Sequence, residues 1–128
     1  MNIRLEIPML PRPELNPNAR VSPFKRAGAA AELRKAAWAI AYNTNPAHDV
    51  MFEKAKIKVT LVYPNHQVTP DLDNCIAMLK PALDGIVDAK ILENDTRDHV
   101  RYVQPFSYEV DPQRAPLTIM EVESDADR

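Results

Sequence analysis

Residues 53–87, EKAKIKVTLVYPNHQVTPDLDNCIAMLKPALDGIV, place a strand and a helix on either side of a short loop. Over 53–63, Ala55, Ile57, Val59, Leu61 and Tyr63 alternate with Lys54, Lys56, Lys58 and Thr60, the period of two that turns one face of a strand towards a core. A lysine row of this kind usually guards a sheet edge, so an edge strand is the expectation. After PNHQVTP the period lengthens. Leu72, Cys75, Ile76, Leu79, Leu83 and Ile86 share one side of a helix over about 72–87, while Asp73, Ala77, Lys80 and Asp84 share the other. Thr69 as N-cap and Pro70 as first helical residue would open it. Pro81 removes the amide bond back to Ala77, which predicts a kink at Lys80.

Outward from this unit, residues 2–7 alternate Ile3, Leu5 and Ile7 with Arg4 and Glu6, a half-buried strand. Pro8, Pro11, Pro13 and Pro17 forbid regular structure, so 8–23 form a stiffened arm, longer than most connections in a small domain. Residues 24–43 read as a helix with Ala29, Leu33, Ala36, Ala37, Ile40 and Ala41 on its core face. A second stripe, Ala27, Ala31, Trp38 and Tyr42, lies nearly opposite; it is either a subunit interface or a surface covered by the arm. Residues 99–110 and 117–122 read as two strands joined by DPQRAP, and 124–128 as a frayed tail. The order predicts one α+β domain over 1–128, a small mixed sheet with two helices packed on it.

At 128 residues with 45% apolar and 27% charged side chains, the chain suits one globular domain and neither a disordered chain nor a collagen. No apolar run reaches the roughly 18 residues of a membrane span. Arg4 and Glu6 interrupt any export signal, and the single cysteine, Cys75, has no partner for an internal disulfide, so a cytoplasmic location is expected. Residues 1–58 carry ten Lys/Arg against five Asp/Glu, and 59–128 six against thirteen. A basic half suits phosphate and an acidic half suits a cation, although an accidental asymmetry looks the same.

The acidic residues Asp71 and Asp73 open the second helix, and Glu93 and Asp95 follow it in LENDTRD. If the chain turns back there, Asp71, Asp73 and Asp95 converge, and crowded carboxylates call for a cation such as Mg²⁺ or Mn²⁺. Such an ion polarises a phosphodiester and supplies hydroxide, with Lys80 offsetting transition-state charge. The competing reading makes Asp71 and Asp73 partners of the helix dipole and pairs Asp84 with Lys80. Ile76 stands where an EF-hand needs glycine, and His48, His66 and His99 have no ligand spacing.

Taken together, PDLDNCIAMLKPALDGIVDAKILENDTR resembles the catalytic segment of the RusA family of Holliday junction resolvases. The shared features are Asp-x-Asp-Asn opening a helix, a lysine within it, Leu-Asp-Gly near its end and an acidic pair before the next strand. The likeness extends to the first strand, the arm PRPELNPNAR and the helix after it. It implies a homodimeric, Mg²⁺-dependent endodeoxyribonuclease, with Mn²⁺ as a substitute and no organic cofactor or membrane partner, that resolves four-way branched DNA by symmetric phosphodiester hydrolysis in recombination and repair, of host or phage origin. On that resemblance Asp71, Asp73 and Asp95 correspond to the metal-binding aspartates, and Lys80 stands one turn beyond the family's lysine position, which is Ala77 here. Asn94 replaces an aspartate frequent in the family, and Pro70 a basic residue found in some members. Arg12, Asn16, Arg20, Lys25, Arg26, Lys56 and Lys58 become candidate DNA contacts, and Ala27, Ala31, Trp38 and Tyr42 the dimer interface. A junction-binding protein without turnover, or a metal-dependent nuclease for other branched or single-stranded DNA, is the alternative.

Overall fold

In the computed structural model, which describes residues 2–125, the alternation of Ile3, Leu5 and Ile7 becomes strand β1 (Asn2–Ile7), with those three side chains buried. Beyond β1 the prolines hold the arm in irregular backbone, broken by one 3₁₀ turn at Pro13–Leu15. Helix α1 (Pro23–Thr44) starts where Ser22 accepts the Lys25 amide on its side chain and Pro23 occupies the first turn. It buries Ala29, Leu33, Ala37 and Ala41, one residue every fourth position.

Strand β2 (Ala55–Tyr63) follows, then α2 (Leu72–Met78) and α3 (Lys80–Asp88). The expected kink is a complete break: Leu79 separates two short helices because Pro81 has no amide to carry the ladder through. The expected strand over 99–110 is two pieces, β3 (Val100–Tyr102) and β4 (Ser107–Val110). Residues 103–106 between them contain Pro105, which cannot donate to a ladder. Strand β5 (Leu117–Ser124) completes the sheet. Of the tail expected over 124–128, Ser124 instead belongs to β5, and Asp125 is buried with Arg101 on its carboxylate at 2.7 Å. Residues 126–128 lie outside the described residues.

The sheet runs β1-β5-β2-β3, with β4 beside the second half of β2. β5 is antiparallel to both β1 and β2, whereas β3 and β4 pair with β2 in parallel. This mixed sheet with its helices is the α+β domain expected. β2, however, is an interior strand, so its lysines guard no edge. Its register sets Lys56 against Glu123 and Lys58 against Glu121, and Lys56 reaches Glu123 at 3.1 Å. The other face of β2 joins Leu5, Met120 and Val122 against Leu33, Ala37, Leu79, Ala82 and Ile86 of the helices in one core.

Gly85 fixes how closely the helices approach. A Cβ there would lie 2.4 Å from the Arg34 carbonyl oxygen and 2.9 Å from the Trp38 amide nitrogen. The Leu-Asp-Gly of the sequence is thus the point where α3 touches the backbone of α1. Across the same seam Arg34 donates to both carboxylate oxygens of Asp88, at 2.7 and 3.0 Å.

Candidate active site

The site is built by a return of the chain. After α3, the Phe52 amide donates to the Ile91 carbonyl at 2.7 Å, and the Glu93 amide donates back to the Phe52 carbonyl at 3.0 Å. These bonds pin 91–93 beside the approach to β2 and carry the next residues to the exposed side of α3. Asn94 then shapes the turn, its side-chain oxygen accepting the amides of Asp95 and Thr96 at 2.7 and 3.2 Å. An ionised aspartate accepts equally well, so asparagine keeps the turn while removing one negative charge.

The turn delivers Asp95 to Lys80. The Lys80 ammonium donates to Asp95 across fifteen positions of sequence, and to Asp84 at 2.5 Å one turn along α3. Burial by itself would lower the Lys80 pKa, but the bonds to Asp84 and Asp95 outweigh it and raise the pKa above its ordinary value. The bond from Lys80 holds the Asp95 carboxyl below the usual carboxylate range, against a smaller opposing effect of burial. Tyr102 completes the group. Its hydroxyl is buried with no hydrogen-bond partner among the described residues. Burial first, then the nearby Cys75, Asp84 and Asp95, push its pKa well up and keep it a phenol.

Asp71 and Asp73 stand at the start of α2, one short helix before Lys80. The N-cap of α2 is Asp71, with the helix beginning at Leu72, rather than Thr69 with the helix beginning at Pro70. The Asp71 side chain accepts the Asn74 amide at 2.9 Å, and Asp73 sits in the first turn; both are exposed. A carboxylate caps as well as Thr and adds a charge favoured by the helix dipole. Carboxylate oxygens are suitable donors for Mg²⁺. Yet among the described residues no three His, Cys, Asp or Glu side chains group closely enough to hold one ion. The cation shared by Asp84 and Asp95 is the lysine's own. Asp71 and Asp73 stand together at the start of α2, whereas Asp95 is held by Lys80 in the turn after α3.

The candidate DNA contacts divide. Arg26 is partly buried and donates to the carbonyls of Asn16 and Ala19 at 3.1 and 2.9 Å, so it braces the arm. Arg12 is paired with Glu14 at 2.6 Å and Glu32 at 3.3 Å. Asn16 accepts the Asn18 amide. Arg20 and Lys25 are exposed and make no ion pair among the described residues. Lys56 and Lys58 project from the sheet face turned away from the helices, opposite glutamates of β5.

On α1, Ala27, Ala31, Trp38 and Tyr42 are all exposed, the two aromatics at 40% each, so the arm does not cover them. The Trp38 and Tyr42 rings stack at 5.4 Å, and Tyr42 meets His48 edge-on at 5.7 Å. No helix among the described residues is long and apolar enough to cross a membrane.

Sequence reasoning reached Lys80 and Asp95 separately but missed Tyr102 and the Arg34–Asp88 tie. Tyr102 gives no signal in a run of three strand residues. The Lys80–Asp84 pair was legible from the spacing of four. No family model matches the chain, and comparison with curated proteins gives no match either.

Proposed function

We propose that the protein is a RusA-like endodeoxyribonuclease that resolves four-way branched DNA as a homodimer in the cytoplasm, with Asp71, Asp73, Lys80 and Asp95 as its catalytic residues. The observation that supports this reading is the meeting of Lys80 and Asp95. The resemblance implies a helix lysine and a late aspartate in one active site, and the chain returns after α3 so that Lys80 and Asp95 touch. Arg20 and Lys25 supply uncompensated positive charge for phosphates, and the exposed Trp38–Tyr42 stripe supplies an apolar surface for a second copy. Two active sites related by a two-fold axis suit symmetric cutting of a two-fold junction. The requirement for Mg²⁺ belongs to the proposal through the resemblance alone.

One observation favours a second reading, a junction-binding protein without turnover: the Lys80 ammonium already neutralises Asp84 and Asp95. A labelled four-way junction, incubated with Mg²⁺ and with EDTA beside a linear duplex of the same sequence, separates the two. The nuclease gives paired, symmetric nicks on the junction only with metal, and Asp73→Asn abolishes them while binding persists. A mobility shift without nicks supports the binding protein. Absence of both refutes the assignment, and metal-dependent nicks that survive in folded Asp73→Asn refute the site.

A further inference from the structure

We infer that the cavity under the proline-rich arm receives one unstacked nucleobase of the branched DNA, beside the helix end that carries Asp71 and Asp73; this rests on the DNA-cutting reading above. The cavity measures about 450 Å³ and lies between the arm, the end of β2 and the loop before α2. That volume falls in the range of small-molecule sites, ~300–1,000 Å³. It admits a nucleoside and excludes a duplex.

The lining has the chemistry of a base site rather than a phosphate site. No charged side chain contributes to it, so an isolated phosphate, carboxylate or metal ion would enter without a counter-charge, at a large desolvation cost. Burial pushes the Tyr63 hydroxyl up to about 12 and the Cys75 thiol upward, so both are neutral at working pH. Apolar surfaces come from Pro11 and Pro13 of the arm, Pro70 of the loop, and Tyr63 and Met78 beneath them. Such surfaces receive the face of any base, because every base has a π-face. Edge recognition is available too, from the amides of Asn16, Asn18 and Gln67. Asn16 uses its oxygen on the Asn18 amide, which leaves its own NH₂ as a donor. The side-chain amides of Asn18 and Gln67 make no hydrogen bond among the described residues.

The wall is preformed. Arg26 holds the carbonyls of Asn16 and Ala19, and the prolines of both segments limit the backbone freedom that binding would otherwise have to remove. The location gives the cavity its meaning. Pro70 and Cys75 line it, and Asp71 and Asp73 lie between them in the sequence, exposed at the start of α2. A nucleotide whose base enters therefore leaves its phosphates at the end of the helix where the candidate catalytic aspartates stand. Bases at a branch point cost least to supply, since they have already lost part of their stacking.

The test uses the full chain and four-way junctions carrying a single 5-iododeoxyuridine, moved one position at a time through the crossover. A mobility shift reads DNA binding, and ultraviolet crosslinking followed by peptide mapping reads where the base lies. The expected result is a crosslink from one or two branch positions to Tyr63, Met78 or residues 67–70. It falls at least fivefold, per amount of shifted complex, when the cavity is filled by an aliphatic side chain that offers no crosslinking ring, Thr69→Leu on the loop or Ala19→Leu on the arm. A shift with crosslinks confined to other surfaces, or with yields unchanged in both filled variants, overturns the cavity assignment and leaves the DNA reading standing. Absence of a shift with any branched DNA overturns both.

Discussion

Replacing Gly85 by alanine adds one methyl group at the contact between α3 and α1, where it meets backbone rather than a yielding side chain. The new carbon would sit 2.4 Å from the Arg34 carbonyl oxygen, 2.9 Å from the Trp38 nitrogen and 3.0 Å from the Ala37 Cβ. Restoring an ordinary separation of about 3.4 Å to the first of these requires the helices to part by ~1 Å. A gap of that size forfeits about a quarter to a half of the dispersion energy of each contact along the seam. It also stretches the bidentate Arg34–Asp88 tie. Overpacking costs ~1–3 kcal/mol in general, and rigid backbone on the receiving side argues for about 3. Alanine returns about 1 kcal/mol through its better helix propensity, so the net destabilisation is about 2 kcal/mol. Gly28 is the internal control: it is exposed inside α1, and a Cβ added there would meet nothing within 4 Å. Gly28→Ala should stabilise by about 0.5–1 kcal/mol, since only propensity changes there. Urea unfolding followed through the fluorescence of Trp38, the only tryptophan, measures both. A midpoint for Gly85→Ala equal to or above that of the unchanged protein would refute the close approach of α1 and α3.

The Lys80 cluster predicts a signed pH dependence. Because the Asp95 pKa is depressed in the folded state, its contribution is present above the unfolded value of about 3.9 and is lost as pH falls through the lower folded value; the raised Lys80 pKa gives a contribution present below about 10.4 and lost as pH rises through the higher folded value. Carboxyl NMR titration should find Asp95 below about 3.9 and find it moved upward in Lys80→Met, and an unmoved midpoint would argue against the contact. In that variant Asp84 and Asp95 lose their counter-ion, so added Ca²⁺ or Mg²⁺ should raise its Tm more than that of the unchanged protein. Asp71→Ala should cost ~1 kcal/mol through loss of the α2 cap, and Asp71→Asn much less. Equal losses in both variants, read by thermal unfolding, would show that the charge rather than the cap matters.

Periodicity made most of the fold legible. The alternation in 2–7 and 55–63 and the helical spacing in 24–43 needed only local rules, and the elements fall within a few residues of where the pattern puts them. Pro81 foretold a disturbance at Lys80 but not its extent, because whether a helix bends or breaks depends on what packs around it. The lysines of β2 misled for a related reason. A row of charges marks solvent exposure, and the open face of an interior strand is as wet as an edge; the partners Glu121 and Glu123 lie some sixty residues away. In the candidate site, the spacing of four gave Lys80–Asp84, whereas Lys80–Asp95 depends on the Phe52–Leu92 bridge, which no spacing encodes. The hold of Arg26 on the carbonyls of Asn16 and Ala19, ten and seven residues back in the arm, has no sequence signal, because a sequence shows charge and hides what a carbonyl requires.

The position of β5 bears on how the chain is made. It lies between β1 and β2 in the sheet yet is synthesised after every other strand. Until it leaves the ribosome, β1 has no neighbour to bond and the core-facing residues Leu5 and Val59 have no Met120 between them. α1 and the α2–α3 unit can pack together before β5 exists, but the sheet closes in a single late step that joins β1 to β2. Slowed translation near residue 117 would therefore hold a nascent chain with β1 unpaired and one edge of β2 open, and that intermediate is the species a chaperone would have to protect.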